Sequence, residues 1–314
     1  MNALIFGISG QDGILLSDFL IKKDYQVVGT TRNAKNFDIL KINSKVKIVE
    51  VNTLNYSNIR EIIYETRPDE IYNLSGLTSV GKSILHPLET YQSIVQATLY
   101  ILESIKCIDK RIKFFNPSSS ECFGNTISKP ANETSNFSPL SPYATAKVMS
   151  HEMASNYRSS YDMFICTGIL SNHESYLRPV EFVSKKIIQG AYDISKGIIK
   201  ELEVGNISIV RDWGWAEEYI EAMYLMMNQD TPDDFIIATG KSITLEQFIS
   251  HSFGIFNLDY KKYVKINKSL IRKNELKKTL LNIQKAEKKL KWRSKFNAYD
   301  VIDKLANELI NSKP

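Results

Sequence analysis

The first 171 residues alternate between short apolar runs and longer segments with helical periodicity. Six runs predict buried strands, because four to eight consecutive apolar or β-branched residues are typical of a parallel sheet: "ALIFGI", "QVVGTT", "VKIVEVN", "EIYNLS", "IKFFNPSS" and "MFICTGIL". Amphipathic patterns such as "ILLSDFLIKKDY", "NIREIIYETR" and "LETYQSIVQATLYILESIKC" predict helices between them, the last as one long helix, and a further helix begins at about Pro142. Strands that alternate with helices predict right-handed crossovers and a doubly wound parallel sheet of the α/β class.

After residue 171 the pattern loosens. We expect a helix in "EFVSKKIIQGAYDISKG", a strand in "KELEVGN", a helix in "WAEEYIEAMYLMM" and a short strand in "FIIAT", followed by two or three helices and a strand. We interpret residues 1–171 plus about 207–240 as a dinucleotide-binding domain. A smaller mixed α/β substrate-binding domain then comprises about 172–206 plus 241–314.

The composition is that of an ordinary globular protein, with 43% hydrophobic and 24% charged residues among 314. No apolar run approaches the roughly 18 residues that cross a bilayer, and the first residues lack the basic start of a signal peptide. Cys107, Cys122 and Cys166 are scattered without metal-ligand spacing, as are the four histidines. We therefore expect a cytoplasmic protein with neither a metal site nor a membrane partner.

The net charge of +5 is unevenly distributed, since residues 261–295 contain 14 Lys/Arg and two Glu. One interpretation is attraction of an anionic ligand such as a nucleotide diphosphate, and the other is a solvated helical face. Aromatic residues are sparse in this segment and it contains no recognised nucleic-acid motif, so we expect no nucleic-acid partner.

A glycine-rich turn, "GISGQDG", follows the first strand and opens a helix, with Gly7, Gly10 and Gly13 spaced three apart. Glycines allow a tight turn and close approach of a pyrophosphate to the helix N-terminus, which predicts a Rossmann-type dinucleotide site. At the end of the second strand, "GTTRNAK" presents Arg32 and no acidic residue. An arginine there suits a ribose 2′-phosphate, so the sequence favours NADP, with NAD possible.

The segment "SPYATAK" places Tyr143 and Lys147 one helical turn apart on one face. A neighbouring ammonium stabilises the tyrosine phenolate and lowers its pKa from about 10, so the tyrosine can take a proton from a sugar hydroxyl. A hydroxyl at the end of the preceding strand, from Ser119 or Ser120, can hydrogen-bond the same oxygen. In this order the motifs resemble the sugar-nucleotide-modifying branch of the extended short-chain dehydrogenase/reductase superfamily.

Glu121 follows those serines in "SSSE". The resemblance implies that epimerases of this branch carry a small residue there, whereas a 4,6-dehydratase needs an acid/base. Oxidation at C4 acidifies the C5 proton, and a carboxylate can take that proton and then protonate the departing C6 hydroxyl. The alternative is that Glu121 only caps the following turn.

Most of the chain is similar to the GDP-mannose 4,6-dehydratase family, on the motifs "GISGQDG", "EIYNL", "SSSE", "SPYATAK", "GILSNHES", "RDWG" and "FIIATG". The resemblance implies an NADP-dependent lyase acting on a GDP-sugar. It implies that the catalytic residues are Ser119, Glu121, Tyr143 and Lys147. It implies cofactor contacts from Gly7, Gly10, Gln11, Asp12, Gly13, Arg32, Asn52, Leu74, Ser75, Tyr143, Lys147, His173 and Arg178. It implies substrate contacts from Ser120, Asn172, Lys186, Arg211, Arg272 and Glu275.

The chain departs from the family pattern around the sugar and the subunit contacts. Asn52 stands where the family has an aspartate that meets the adenine, and both "NLSGLTSVGKS" and "SYLRPVEF" differ from their family counterparts. The segment after Arg32 is shorter than the family loop that reaches a neighbouring subunit. We therefore expect a homodimer, leave a tetramer open, and leave the sugar open between GDP-mannose and a GDP-manno-heptose.

Two other functions fit the same scaffold. The first is a GDP-sugar 4-epimerase or 4-reductase, which would release no water. The second is a dinucleotide-binding regulator without turnover, against which the intact set of Ser119, Tyr143 and Lys147 argues.

Overall fold

A seven-stranded parallel sheet forms the centre of the computed structural model, which describes residues 1–33 and 42–312. With strands numbered in chain order, the sheet consists of β1 Asn2–Phe6, β2 Gln26–Thr31, β3 Lys47–Glu50, β4 Glu70–Asn73, β5 Lys113–Ser119, β6 Ile165–Leu170 and β10 Asp234–Ile237. Their spatial order is β10-β6-β5-β4-β1-β2-β3, so the order reverses between β1 and β4. Ligands of such sheets bind at this reversal, beyond the carboxyl ends of the strands.

Helices cover both faces of the sheet, and the alternation along each strand explains why. On β1, Ala3 and Ile5 belong to one buried cluster while Leu4 and Phe6 belong to another, because successive side chains point to opposite faces. The helices of this part are α1 Gln11–Ile21, α2 Tyr56–Thr66, α3 Val80–Leu85, α4 Pro87–Tyr91, α5 Ala97–Ile108, α6 Pro142–Tyr161 and α8 Ala216–Met227. The predicted doubly wound α/β fold is confirmed.

A second group of elements packs around its own apolar cluster beyond the carboxyl edge of the sheet. Its helices are α7 Val183–Ser195, α9 Leu245–Ile255, α10 Tyr260–Tyr263 and α11 Ala298–Ser312. Its strands are β7 Asn172–Glu174, β8 Leu202–Val204, β9 Val210–Trp215, β11 Ser242–Thr244 and β12 Val264–Ile266. β7, β9 and β11 form a three-stranded sheet, and β8 pairs with β12.

The elements agree with the pattern in the sequence, with two informative differences. The helix predicted over 88–107 consists of α4, a π-helical segment Gln92–Gln96 and α5. The π segment lies beside the cleft, where the Ser93 hydroxyl accepts a hydrogen bond from the Leu77 amide at 3.3 Å. Such π segments are frequent at functional sites. The second difference is β9, which the sequence did not predict because it begins with "VRD" and has no strand-like apolar run; it pairs with β7 and β11 in the small sheet.

The shortened segment after Arg32, on which the reasoning about a tetramer depends, falls mainly on residues 34–41 and so lies outside the described residues.

Candidate active site

A continuous cleft runs along the carboxyl ends of the central strands. It comprises two cavities of about 350 Å³ and 290 Å³, and both are lined by Leu74 and Ser75 just after β4. The larger cavity faces the ends of β1 and β2, and the smaller one faces the ends of β5 and β6. The cleft therefore spans the reversal point of the strand order.

The glycine turn shapes the first cavity through its backbone. Gly7 has φ +87°, and a Cβ there would lie 2.5 Å from the Leu74 carbonyl oxygen, so only glycine fits. Gly13, in the first turn of α1, approaches the turn after β1 so closely that a Cβ would lie 2.8 Å from the Ile8 Cα. A Cβ at Gly10 would lie 3.5 Å from the Gly7 carbonyl oxygen, an ordinary contact distance, and Gly10 lines the cavity at the N-terminus of α1. This cradle fits the pyrophosphate of a dinucleotide.

The far end of the first cavity lies at the end of β2. Arg32 is exposed and lines the cavity beside Thr30 and Thr31. Asn52 does not border this cavity. Its side-chain oxygen accepts a hydrogen bond from the Leu54 amide at 3.0 Å. The sequence analysis missed Ser9, Thr30, Thr31, Asn33 and Thr53 as lining residues, although Ser9 lies inside the glycine motif.

Tyr143 and Lys147 lie on the buried face of α6 and line the second cavity. Ser141 caps this helix and Pro142 occupies its first turn, which together set where it begins. The Lys147 ammonium lies 5.9 Å from the centre of the Tyr143 ring and donates a hydrogen bond to the Pro117 carbonyl at 2.7 Å. The helical spacing thus brings the pair together at the end of β5.

The charge states of this pair are dominated by burial. Burial raises the pKa of the Tyr143 phenol well above its usual value, although a hydrogen bond with Ser119 opposes the rise. Burial also lowers the pKa of Lys147 to about 8. The tyrosine pKa is therefore raised in this structure rather than lowered as the sequence led us to expect, because the phenol is withdrawn from water.

Glu121 also lines the second cavity, in a 3-10 turn Ser120–Phe123 that follows β5. The Ser119 hydroxyl caps this turn by accepting a hydrogen bond from the Glu121 amide at 3.3 Å. The residue that caps this turn is therefore Ser119 and not Glu121. The Glu121 carboxylate borders the cavity together with Tyr143. Ser118 and Ser119 line the cavity as well, whereas Ser120 is buried and does not border it.

Asp12 and His173 form a partly buried ion pair between α1 and β7, with Oδ2 2.9 Å from Nε2. The other ring nitrogen of His173 lies 2.8 Å from the Ser171 carbonyl. Burial opposes both charges, but the mutual attraction wins: it holds the pKa of Asp12 at about 2 and raises the pKa of His173 above its usual value. Gln11 extends the link, since its amide donates to the His173 carbonyl at 3.2 Å and its oxygen accepts from Ser175 at 2.9 Å.

The remaining predicted residues divide into two groups. Asn172, Arg178, Arg211 and Arg272 line the second cavity. Lys186 does not line this cavity. Its ammonium donates a hydrogen bond to the Glu203 carbonyl at 2.8 Å.

Glu275 also lies outside the lining, and its buried Oε2 has no hydrogen-bond partner in the described part of the chain. The structure further adds lining residues that the sequence analysis missed: Thr78, Ser79, Val80, Glu181, Phe182, Val183, Ile209 and Trp213. Trp213 belongs to the "RDWG" motif, which was the available signal.

Within residues 1–33 and 42–312, no group of three His, Cys, Asp or Glu side chains is arranged to hold a metal ion. None of the helices in that part of the chain is long and apolar enough to cross a membrane.

Residues 4–305 match the family model described as GDP-mannose 4,6 dehydratase. GDP-mannose 4,6 dehydratase 2 of Arabidopsis thaliana is 36% identical over 321 residues, which cover 98% of this chain and 86% of that protein. A GDP-mannose 4,6-dehydratase of Vibrio cholerae is 39% identical over 263 residues, which cover 80% of this chain and 71% of that protein.

Solved structures share the fold at lower identity. UDP-glucose 4-epimerase of Thermotoga maritima, solved with UDP-glucose, superimposes with a TM-score of 0.90 at 21% identity over 100% of both chains. dTDP-glucose 4,6-dehydratase of Bacillus anthracis, solved in complex with NAD, gives 0.87 at 16% identity over 100% of this chain and 97% of that one. At these identities the comparison establishes the fold.

Proposed function

The chain belongs to the GDP-mannose 4,6-dehydratase family, and we propose that it removes water across C5 and C6 of a GDP-linked sugar to give the 4-keto-6-deoxy derivative. The substrate is GDP-mannose or a GDP-manno-heptose. The observation that carries this proposal is the Glu121 carboxylate, which borders the same cavity as Tyr143, Lys147 and Ser119. A 4-epimerase or 4-reductase has no use for a second acid/base at this position.

The side chains take complementary roles. Tyr143 accepts the proton of the C4 hydroxyl, with Ser119 and Lys147 positioned to stabilise the phenolate. When bound, a nicotinamide dinucleotide would supply hydride chemistry, accepting hydride from C4 and giving it back at C6, while C5 takes up one proton in exchange for the one that Tyr143 accepted. Glu121 removes the C5 proton, which the C4 ketone has made acidic, and delivers a proton to the C6 hydroxyl as that group leaves as water. No net oxidation occurs, so the dinucleotide stays bound between turnovers.

The dinucleotide is NADP in this proposal. Arg32 lines the cavity at the end of β2, and the described residues that line the cavity beside it include threonines and no carboxylate. A guanidinium there suits a ribose 2′-phosphate. Mass spectrometry of the dinucleotide released by denaturation tests this, and recovery of NAD alone would contradict it.

The sugar nucleotide lies in the second cavity. Arg272 and Asn172 line that cavity and contact the diphosphate, with Lys186 and Glu275 retained as predicted contacts. Residues 1–171 plus about 207–240 form the cofactor-binding domain, and about 172–206 plus 241–314 form the sugar-nucleotide-binding domain. We further propose a homodimer located in the cytoplasm.

The test uses purified protein to which no cofactor is added, incubated with GDP-mannose and with a GDP-manno-heptose. The mass of each nucleotide sugar is measured over time. We expect the wild type, but not Glu121→Gln, to remove one water from at least one of them. No loss of water, with Glu121→Gln as active as the wild type in another conversion, would indicate the epimerase or reductase. Bound dinucleotide without turnover of any sugar nucleotide would indicate the regulator.

A further inference from the structure

Ser83 is a fully buried serine of α3 whose hydroxyl bonds the backbone of Tyr143. The hydroxyl oxygen accepts a hydrogen bond from the Tyr143 amide at 3.2 Å, although the two residues lie 60 positions apart in the chain. The same hydroxyl donates to the Val80 carbonyl at 2.7 Å within α3. The side chain of Ser83 therefore both donates and accepts, and the hydrogen bond that it accepts comes from the residue proposed to act at C4 of the sugar.

The Tyr143 amide needs a partner from outside its own helix, because the first amides of a helix have no carbonyl one turn earlier to bond. At the start of α6, the Thr145 amide bonds the Ser141 carbonyl at 2.9 Å, which is the first bond of the helical ladder. The Ser141 hydroxyl accepts from the Ala144 amide at 3.1 Å. The proline that precedes Tyr143 has no amide hydrogen. Ser83 thus supplies the partner that α6 cannot provide for the Tyr143 amide.

The ring of Tyr143 is surrounded by apolar contacts that include α3. Tyr143 forms a small buried cluster with Ile94 and Ala146, and Val80 packs against that cluster. Apolar packing is non-directional, so it fills the space around the ring without fixing where the phenol points. A hydrogen bond is directional, and the one from Ser83 fixes the backbone from which the ring projects.

The segment that ends in Ser83 also forms part of the cleft wall. Leu74 and Ser75 line both cavities, and residues 78–80 line the second cavity. Ser83 itself lines neither cavity. Any effect of Ser83 on the chemistry must therefore pass through the residues that it holds.

We propose that Ser83 is a positioning residue for Tyr143: its hydroxyl fixes the first turn of α6 so that the phenol meets the C4 hydroxyl of the sugar beside Ser119. This inference rests on the proposed function. Without the Ser83 hydroxyl the Tyr143 amide becomes a buried donor without a partner, a cost that the start of α6 relieves by moving. Misplacement of a reacting group by about 1 Å is enough to slow a reaction about 100-fold.

The test compares Ser83→Ala with Ser252→Ala. Ser252 is also fully buried, in α9, and its hydroxyl donates to the Phe248 carbonyl at 2.8 Å without bonding any residue of the cleft. The substrate is GDP-mannose, or the GDP-manno-heptose if the wild type accepts only that, and rates are counted per bound dinucleotide. In Ser83→Ala we expect kcat to fall about 10- to 100-fold while KM stays within about twofold, because orientation is lost and binding is kept. Ser252→Ala should leave both unchanged.

Deuterium at C4 of the same substrate reports the step that Tyr143 assists. We expect the isotope effect on kcat in Ser83→Ala to be at least as large as in the wild type, because the step at C4 has become slower. A smaller isotope effect would show that Ser83→Ala slows a different step, and it would overturn the inference.

A double-mutant cycle separates positioning from a general structural role. If Ser83 acts through the Tyr143 phenol, Ser83→Ala has no further effect on kcat in a Tyr143→Phe background. Ser83→Cys, which keeps a side chain of similar size but is a weaker acceptor, gives the same comparison if Ser83→Ala fails to fold. The inference is overturned if KM rises as much as kcat falls, or if the effects of the two substitutions multiply.

The proposed function fails in a different way. A wild type that oxidises C4 without releasing water overturns the proposed function and leaves the comparison of Ser83→Ala with Ser252→Ala intact, since Tyr143 then still acts at C4. A wild type that converts neither sugar nucleotide overturns both.

Discussion

The cleft has two halves that are built in different ways. The half that faces β1 and β2 is shaped by backbone, through the positive φ of Gly7 and the close contact of Gly13 with the turn after β1. The half that faces β5 and β6 is shaped by side chains with charge, including Glu121, Lys147 and Arg211. The first half comes from one contiguous turn and the ends of adjacent strands, whereas the second collects residues from several distant segments.

The difference shows how each half tolerates change. A backbone cradle depends on space, so a single added methyl group is enough to disturb it. A cluster of buried charges depends on compensation, so removing one member leaves another without a partner. Substitutions in the first half should therefore act on cofactor retention and stability, and those in the second should act on chemistry more than on stability.

The largest stability effect is expected for Gly13→Ala. The new Cβ would meet backbone atoms of Gly7 and Ile8, which cannot move without shifting α1 from β1. We expect the free energy of unfolding to fall by about 1–3 kcal/mol or more, with loss of the bound dinucleotide. Gly254→Ala in α9 is the control, because nothing lies within 4 Å of its added Cβ, and alanine there should add about 0.5–1 kcal/mol. Equal effects of the two changes would show that the backbone cradle is not needed.

Lys147→Met is expected to lower turnover by at least about 100-fold while raising stability. Burial lowers the pKa of Lys147 from 10.5 to about 8, so folding at neutral pH holds a charge away from water at a cost of about 1–3 kcal/mol. Because the folded pKa lies below the unfolded one, this cost is present below pH 8 and is relieved as pH rises toward 10.5. The increase in melting temperature caused by Lys147→Met should therefore become smaller at alkaline pH.

Lys113→Met provides the comparison for Lys147→Met, since the Lys113 ammonium donates to the Met227 carbonyl at the same 2.7 Å distance but lies away from the cleft. It should not raise stability. A stability gain in Lys113→Met as large as that of Lys147→Met would mean that the effect is not specific to the active site.

Asp12→Asn tests the ion pair that joins the two halves. The raised pKa of His173 stabilises the fold fully below its unfolded value of about 6.5, and this stability is lost as pH rises through the folded value. The lowered pKa of Asp12 contributes above about pH 4, and this part is lost as pH falls toward 2. Urea unfolding of Asp12→Asn should show a loss of about 1–2 kcal/mol near pH 5–6 and a flatter pH profile.

The control for Asp12→Asn is Asp303→Asn, which breaks the surface pair between Asp303 and His251. Because this pair is exposed, the change should cost less than about 0.5 kcal/mol. A flat pH profile in the wild type would contradict a role for the Asp12–His173 pair in stability.

The smallest effect is expected from the basic segment around Arg272. Replacing Lys265, Lys268 and Lys273, which are exposed, by glutamine should lower kcat/KM about two- to fivefold at low salt and leave it unchanged at high salt. The control replaces three exposed lysines near the opposite edge of the sheet: Lys22, Lys45 and Lys110. No salt-dependent difference between the two triple variants would favour a simple solvated surface.

Local sequence was enough for the parts of the molecule that depend on neighbours along the chain. Apolar runs and helical periods predicted the strands and helices, because burial on a sheet and on a helix face repeats at short intervals. Gly7, Gly10 and Gly13 predicted the turn, since a tight approach needs the same local residues wherever it occurs. The pair of Tyr143 and Lys147 followed from one helical turn, and Glu121 from its place after β5.

Contacts between distant segments were decided only by the tertiary structure. Helical spacing placed Lys147 near Tyr143, but burial and the Pro117 carbonyl set its charge and direction. Arg211, which the sequence predicts as a substrate contact, lines the second cavity, and its neighbours there are Glu121, 90 positions earlier, and Leu276, 65 positions later. The reason is physical: hydrogen bonds and charges act over a few ångströms in space, and no local pattern records which far segment folds into that distance.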